Sequence, residues 1–181
     1  PQDAIYIGSQ VGDELINQGG LALLTSVMVI LLYLSLRFEW RLAAGSVIAL
    51  FHDVIIVLGL FAWFEISFDL TILASLLAII GYSLNDSIII GDKVREIMRR
   101  KFDNLSDNDK SIKSIINLAI KATIVRTLIT SGTTLATILA IWIFAGESLA
   151  GFSIALFSGV LVGTFSSIAI SATVPELLGL S

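Results

Sequence analysis

The sequence predicts an all-α membrane protein, a polytopic bundle of about five transmembrane helices. Two observations carry this. Hydrophobic residues make up 56% of the 181 and charged residues only 14%, at a mean hydropathy of +0.93. A soluble domain of this size needs more polar surface to cover its core. The second observation is length: apolar runs fall at approximately 20–36, 42–63, 70–91, 125–145 and 149–173, each near the roughly 20 residues that cross a bilayer as a helix. Helices satisfy their own backbone in lipid, and these runs lack the polar/apolar alternation of barrel strands.

The connections between the spans set an orientation. Arg37 and Arg41 lie in "RFEWR" after the first span, and Lys93, Arg95, Arg99, Arg100, Lys101, Lys110, Lys113 and Lys121 lie between the third and fourth. Cytoplasmic loops collect Lys and Arg, so these two connections face the cytoplasm. The stretch "PQDAIYIGSQVGDELINQGG", the Glu65 loop and the Glu147 loop carry acids and no Lys or Arg, which places them on the far side. The N-terminus is therefore outside and the C-terminus inside. A chain that starts outside, with Pro rather than Met, reads as a fragment: a further helix and an extracytoplasmic portion should precede Pro1, with "AIYIGSQVG" as the last strand of that portion. The expected division is a periplasmic end over 1–19, three spans over 20–91, a cytoplasmic amphipathic segment over 92–124, two spans over 125–175 and a cytoplasmic end over 176–181.

The composition excludes several chemistries. There is no cysteine, hence no disulfide or thiolate site, and the one histidine, His52, cannot build a multi-histidine metal centre. The net charge of −4 is too small to point to nucleic acid or another strongly charged partner. In the 92–124 segment, Val94, Ile97 and Met98 recur at helical spacing, "DNLSDND" breaks the pattern, and Ile112, Ile115 and Ile116 resume it. This reads as an interfacial helix on lipid headgroups, the alternative being a contact surface for a partner. Asp103, Asp107 and Asp109 lack the glycine and terminal glutamate of a calcium loop and read as a solvated turn.

Few ionisable residues lie inside the spans: His52 and Asp53 in the second, Asp86 in the third, Arg126 in the fourth. A charge at a helix centre opposes insertion by roughly 2.5 to 3.5 kcal/mol, which makes each a functional candidate. At about 1.5 Å per residue, Asp53 falls near the midplane and Asp86 and Arg126 in the cytoplasmic half, at matching depth and with opposite charge. They could pair if their helices are neighbours. From Arg126, helical steps lead to Thr130, Thr133, Thr134 and Thr137, a hydroxyl stripe. Such a stripe could line a hydrated path; alternatively its hydroxyls bond back to their own helix, and Gly159 and Gly163 offer a small-residue packing face in the fifth span. With an arginine at its base and acids at similar depth, the hydrated path is the preferred reading. Asn85 joins the polar set beside Asp86. An acid and a base that move relative to one another in low dielectric can load and release a proton, whereas a fixed pair would only hold helix register.

The strings "VGDELINQGG", "RFEWRLAAGSVIALFHDVIIVLG", "DLTILASLLAIIGYSLNDSIIIGDKVRE", "RTLITSGTTL" and "GTFSSI" closely resemble the SecF family, the smaller partners of SecD in the bacterial Sec protein-export machinery. SecD proteins share the architecture but carry a different acidic signature in the equivalent helix. The resemblance implies one half of a pseudo-symmetric transporter fold related to the resistance-nodulation-division pumps, six helices per half, of which the first and a periplasmic domain are absent here. It implies an inner-membrane subunit, not an enzyme, that works with SecD and the SecYEG translocon to draw preproteins across the membrane with the proton motive force. Protons are the coupling ion; no cofactor or metal is expected, and membrane lipids are the remaining partner. In the family the Asp of "SLND" and the Arg of "RT" belong to the proton pathway at the SecD interface, which maps onto Asp86 and Arg126. His52 and Asp53 match the "HD" motif. "FAGE" departs from the family's two glycines, in a loop. Two other readings stay open: a small-molecule transporter of related architecture, and a structural scaffold for the translocon.

Overall fold

The computed structural model describes residues 15–66, 68–101 and 112–178. The stretch "AIYIGSQVG" and the "DNLSDND" turn lie outside them. Among the described residues there are five long helices and no strand: α1 (Gly20–Arg37), α2 (Trp40–Trp63), α3 (Leu70–Lys101), α4 (Ile112–Phe144) and α5 (Ala150–Leu177). All five are long and apolar enough to cross a membrane.

The helices begin and end where local chemistry dictates. Asp69 caps α3, its Oδ1 accepting from the Ile72 backbone N–H at 2.9 Å and from the Thr71 hydroxyl at 2.7 Å. Gly146, at φ 72°, turns the chain from α4 into a short 3₁₀ turn (Glu147–Leu149) ahead of α5. α3 and α4 extend well past the apolar runs, α3 to Lys101 and α4 from Ile112. Hydropathy measures only the part that lies in lipid. The amphipathic residues beyond it keep helical spacing with no Gly or Pro to stop them, so the helix continues rather than breaking into a separate interfacial piece.

α5 is the packing hub and lies against α2, α3 and α4, while α1 rests chiefly on α2. Its inward residues are small: Ser153, Ala155, Ser166, Ser167 and Ser171 are buried. A Cβ on Gly159 would collide with the Ile79 side chain, and one on Gly163 would come within 3.3 Å of Ser83 Cβ and 3.4 Å of Asp53 Oδ2. Small residues let helix backbones approach, and in lipid that close packing holds the bundle. Two apolar clusters result. One gathers Leu34, Phe38, Leu42, Leu50 and Val94 with Ile115 and Ile116; the other gathers Val57, Phe61, Ile72, Leu76, Ile79 and Ala155. Asp53 and Ser83 form a polar level where the two meet.

Candidate functional site

The polar level is built from three helices. Asp53 on α2 is 1% exposed, and a carboxylate buried without hydrogen bonds is costly. It is bonded on both oxygens: the Ser83 hydroxyl of α3 donates to Oδ2 at 2.5 Å, and Oδ1 lies 3.1 Å from His52 Nδ1. His52 is about one-third exposed, at the edge of the bundle. Gly163 of α5 closes the level, its missing side chain letting α5 lie close against Ser83 and Asp53.

Asp86, three residues beyond Ser83 on α3, is in the opposite condition. It is also 1% exposed, yet neither carboxylate oxygen has a hydrogen-bond partner, and the same holds for the Ser87 and Thr127 hydroxyls. α3 and α4 are neighbours, and the charge of Arg126 acts on Asp86 across them. The pairing that matching depth suggested is not made as an ion pair: no direct bond joins the two side chains. Arg126 is exposed, whereas Thr127 turns inward.

The threonine stripe makes local bonds. Thr130 donates to the carbonyls of Arg126 and Thr127 at 3.0 and 2.9 Å, Thr133 to Ile129 at 2.9 Å, Thr134 to Thr130 at 2.8 Å and Thr137 to Thr133 at 3.0 Å. Thr133 and Thr137 face outward, as does Asn85 on α3. The face of α4 that packs inward is a different one, Ala119, Thr123, Thr127 and Ser131, four residues apart. It carries a cross-helix chain that the motif reading did not single out: Tyr82 of α3 donates to Ser131 at 2.9 Å, and Ser131 lies 2.7 Å from Thr164 of α5. The four-residue spacing was the available signal for that face; Gly163 stands in the small-residue packing face expected of the fifth span, whereas nothing in the sequence around Tyr82 and Ser83 marked their cross-helix bonds.

The "RFEWR" elbow explains itself once folded. Phe38 is buried against Gly91, where a Cβ would meet its ring at 3.1 Å, and the Arg37 and Arg95 guanidinium groups sit 5.5 and 5.8 Å from its centroid. Arg37 pairs with Asp92 at 2.7 Å, and Arg95 donates to the Arg37 carbonyl at 2.7 Å. The elbow is thereby locked to the end of α3.

Comparison with known proteins bears on this arrangement. The family model described as "Protein export membrane protein SecD/SecF, C-terminal" matches residues 2–180. Protein translocase subunit SecF of Vibrio alginolyticus is 47% identical over 97% of this chain and 54% of its own length; that of Pseudomonas aeruginosa is 48% identical over 97% and 56%. The chain thus spans about half the length of the curated relatives it matches. A crystal structure of SecDF from Thermus thermophilus, titled a translocon-associated membrane protein, superposes with a TM-score of 0.86 at 35% identity, over 97% of this chain and 24% of that one. A super-membrane-facing form of SecDF gives 0.78 at 37% identity, over 94% and 22%. With five apolar helices of spanning length and a family match along nearly its whole length, this multi-pass membrane chain belongs to the SecD/SecF protein-export family, in the C-terminal membrane region that the family shares.

Proposed function

We propose that this chain is the membrane portion of a SecF subunit that, with SecD, couples the proton motive force to late preprotein export through SecYEG in the bacterial inner membrane. The observation that carries this reading is Asp86: a carboxylate buried in an apolar helix with neither oxygen bonded, under the field of Arg126 on the adjoining helix. The protonation of a carboxyl held out of water follows the charge beside it; a nearer guanidinium favours the carboxylate and a retreating one the acid. Relative movement of α3 and α4 therefore takes up and releases a proton. No bond of the preprotein is made or broken, so the role is mechanical coupling rather than catalysis. The elbow at Arg37 and Arg41 and the α3–α4 connection face the cytoplasm, and the α2–α3 and α4–α5 connections the periplasm.

The test uses inner-membrane vesicles with the full-length protein and SecD, following late export of a preprotein with and without a proton gradient. In Asp86→Asn the benefit of the gradient should vanish while protein level and SecD association hold. An undiminished benefit would remove Asp86 from the coupling. The bare carboxylate favours this reading over a static scaffold, because a register-fixing ion pair needs the direct bond that is missing.

A further inference from the structure

A proton carrier in the middle of a bundle has to meet water, and the polar groups around Asp86 mark where. Between α3 and α4 lies a cleft of about 360 Å³, lined by Ile89, Asp92, Lys93 and Glu96 on α3 and by Ala122 and Arg126 on α4. Lys93 and Glu96 pair at 2.8 Å, and Asp92 reaches Arg37 at 2.7 Å, so the walls are charged but nearly balanced. Ile89 stands one turn from Asp86. Thr123, which also lines the cleft, stands one turn from Thr127. Where these two stretches continue into the bundle, the Asp86 carboxylate and the Ser87 and Thr127 hydroxyls are buried without a protein partner. In a hydrocarbon setting each such group costs several kcal/mol unless water satisfies it. Unbonded polar groups on two facing helices, directly inward of a charged cleft, form a continuous polar seam.

We infer that the α3–α4 cleft is the aqueous entrance that joins Asp86 to the cytoplasmic side of the membrane. The inference rests on the proton-carrier reading and on the orientation given above, and adds the route. A proton leaving the Asp86 carboxyl for water in this seam yields a carboxylate facing Arg126 and a hydronium that leaves past Asp92 and Glu96.

The experiment measures thiol accessibility in the full-length protein with SecD, both freed of cysteine elsewhere; this chain has none. Ile89→Cys and Ala122→Cys are treated with a charged, membrane-impermeant methanethiosulfonate. In inverted vesicles, which present the cytoplasmic face, both should react at least roughly tenfold faster than Val125→Cys and Leu128→Cys, because only the thiolate reacts and it forms where water reaches. Val125 and Leu128 are exposed on α4 without lining the cleft. Spheroplasts, which present the opposite face, should show no reaction at Ile89→Cys or Ala122→Cys. Equal rates at all four positions, or reaction only in spheroplasts, overturns the inference. Ala122 is exposed, so its cysteine variant does not disturb packing and serves alone if Ile89→Cys fails to accumulate. Labelling is read without export: a reactive cleft with coupling intact in Asp86→Asn would defeat the carrier reading and leave the entrance standing, and the reverse pattern would do the opposite.

Discussion

Two carboxylates lie inside the bundle within about one turn of each other, Asp53 bonded on both oxygens and Asp86 on neither. The first is held by Ser83 and His52; the second has no hydrogen-bond partner to hold it. Ser83→Ala would leave a buried Asp53 oxygen unsatisfied and should lower stability of the purified complex by about 1–3 kcal/mol. Ser167→Ala should be near neutral in the same unfolding measurement, because that hydroxyl bonds only the Thr164 carbonyl of its own helix, at 3.0 Å. Equal effects would mean the Asp53–Ser83 bond holds nothing. Exchanging the charges (Asp86→Arg with Arg126→Asp) should not restore proton-driven export: a scaffold needs only an attraction, whereas coupling needs a carboxyl in the buried position and a cation in the exposed one. Recovery in the double variant would support the scaffold. Asp86 and Arg126 were legible in the sequence because a charge in an apolar run is costly and therefore conspicuous. Ser83 was not, since a hydroxyl in a membrane helix either bonds its own backbone or crosses to a neighbour, and spacing does not separate the two. Thr130 and Thr133 took the first course, Ser83 and Ser131 the second.

At the scale of elements, α2 and α5 meet where a backbone carbonyl is the neighbour. Pro175 has no N–H to offer the Ser171 carbonyl one turn earlier, and that carbonyl lies against Gly45, where a Cβ would approach its oxygen to 2.8 Å and the Pro175 ring to 3.0 Å. A backbone atom cannot swing aside as a side chain does. Gly45→Ala should therefore push α2 from α5 and cost roughly 1–3 kcal/mol, read as a lower thermal midpoint of the detergent-purified complex. Gly59, also on α2, has nothing within reach of a Cβ, and Gly59→Ala should hold or raise that midpoint, since alanine in a helix gains about 0.5–1 kcal/mol over glycine. If both variants behave alike, the close approach at Gly45 contributes nothing. The helices themselves were readable from hydropathy, and the five spans stand where the apolar runs placed them. Their packing was legible only in part: Gly159 and Gly163 stood out as a small-residue face, and both are packed, but Gly45 and Gly59 look the same in a string, and only the neighbouring helix decides which of them is occupied space.

The molecule as a whole is unevenly covered. The outer side of α1 carries Leu21, Leu24, Met28, Val29 and Leu32, all exposed, a surface suited to lipid. The α3–α4 side differs. Its exposed stripe on α3 is Ala74, Ala78, Gly81 and Asn85, beside Arg126, Thr133 and Thr137 on α4. Hydrocarbon has no use for an arginine and an asparagine, while small residues in register admit another helix at close range. In the proposed assembly that helix belongs to SecD, and it roofs the cleft leading to Asp86. A bulky residue at Gly81 tests this directly, because a Cβ there meets nothing within the chain, so Gly81→Leu leaves this bundle intact while filling the stripe. SecD recovered with the tagged full-length protein should fall roughly tenfold, a loss equivalent to about 1.4 kcal/mol of association. Gly59→Leu, equally open but flanked by the exposed Ile55 and Leu58, should retain SecD in full. Equal recovery of SecD by the two variants would move the partner away from α3 and leave the polar stripe without the helix that its composition calls for.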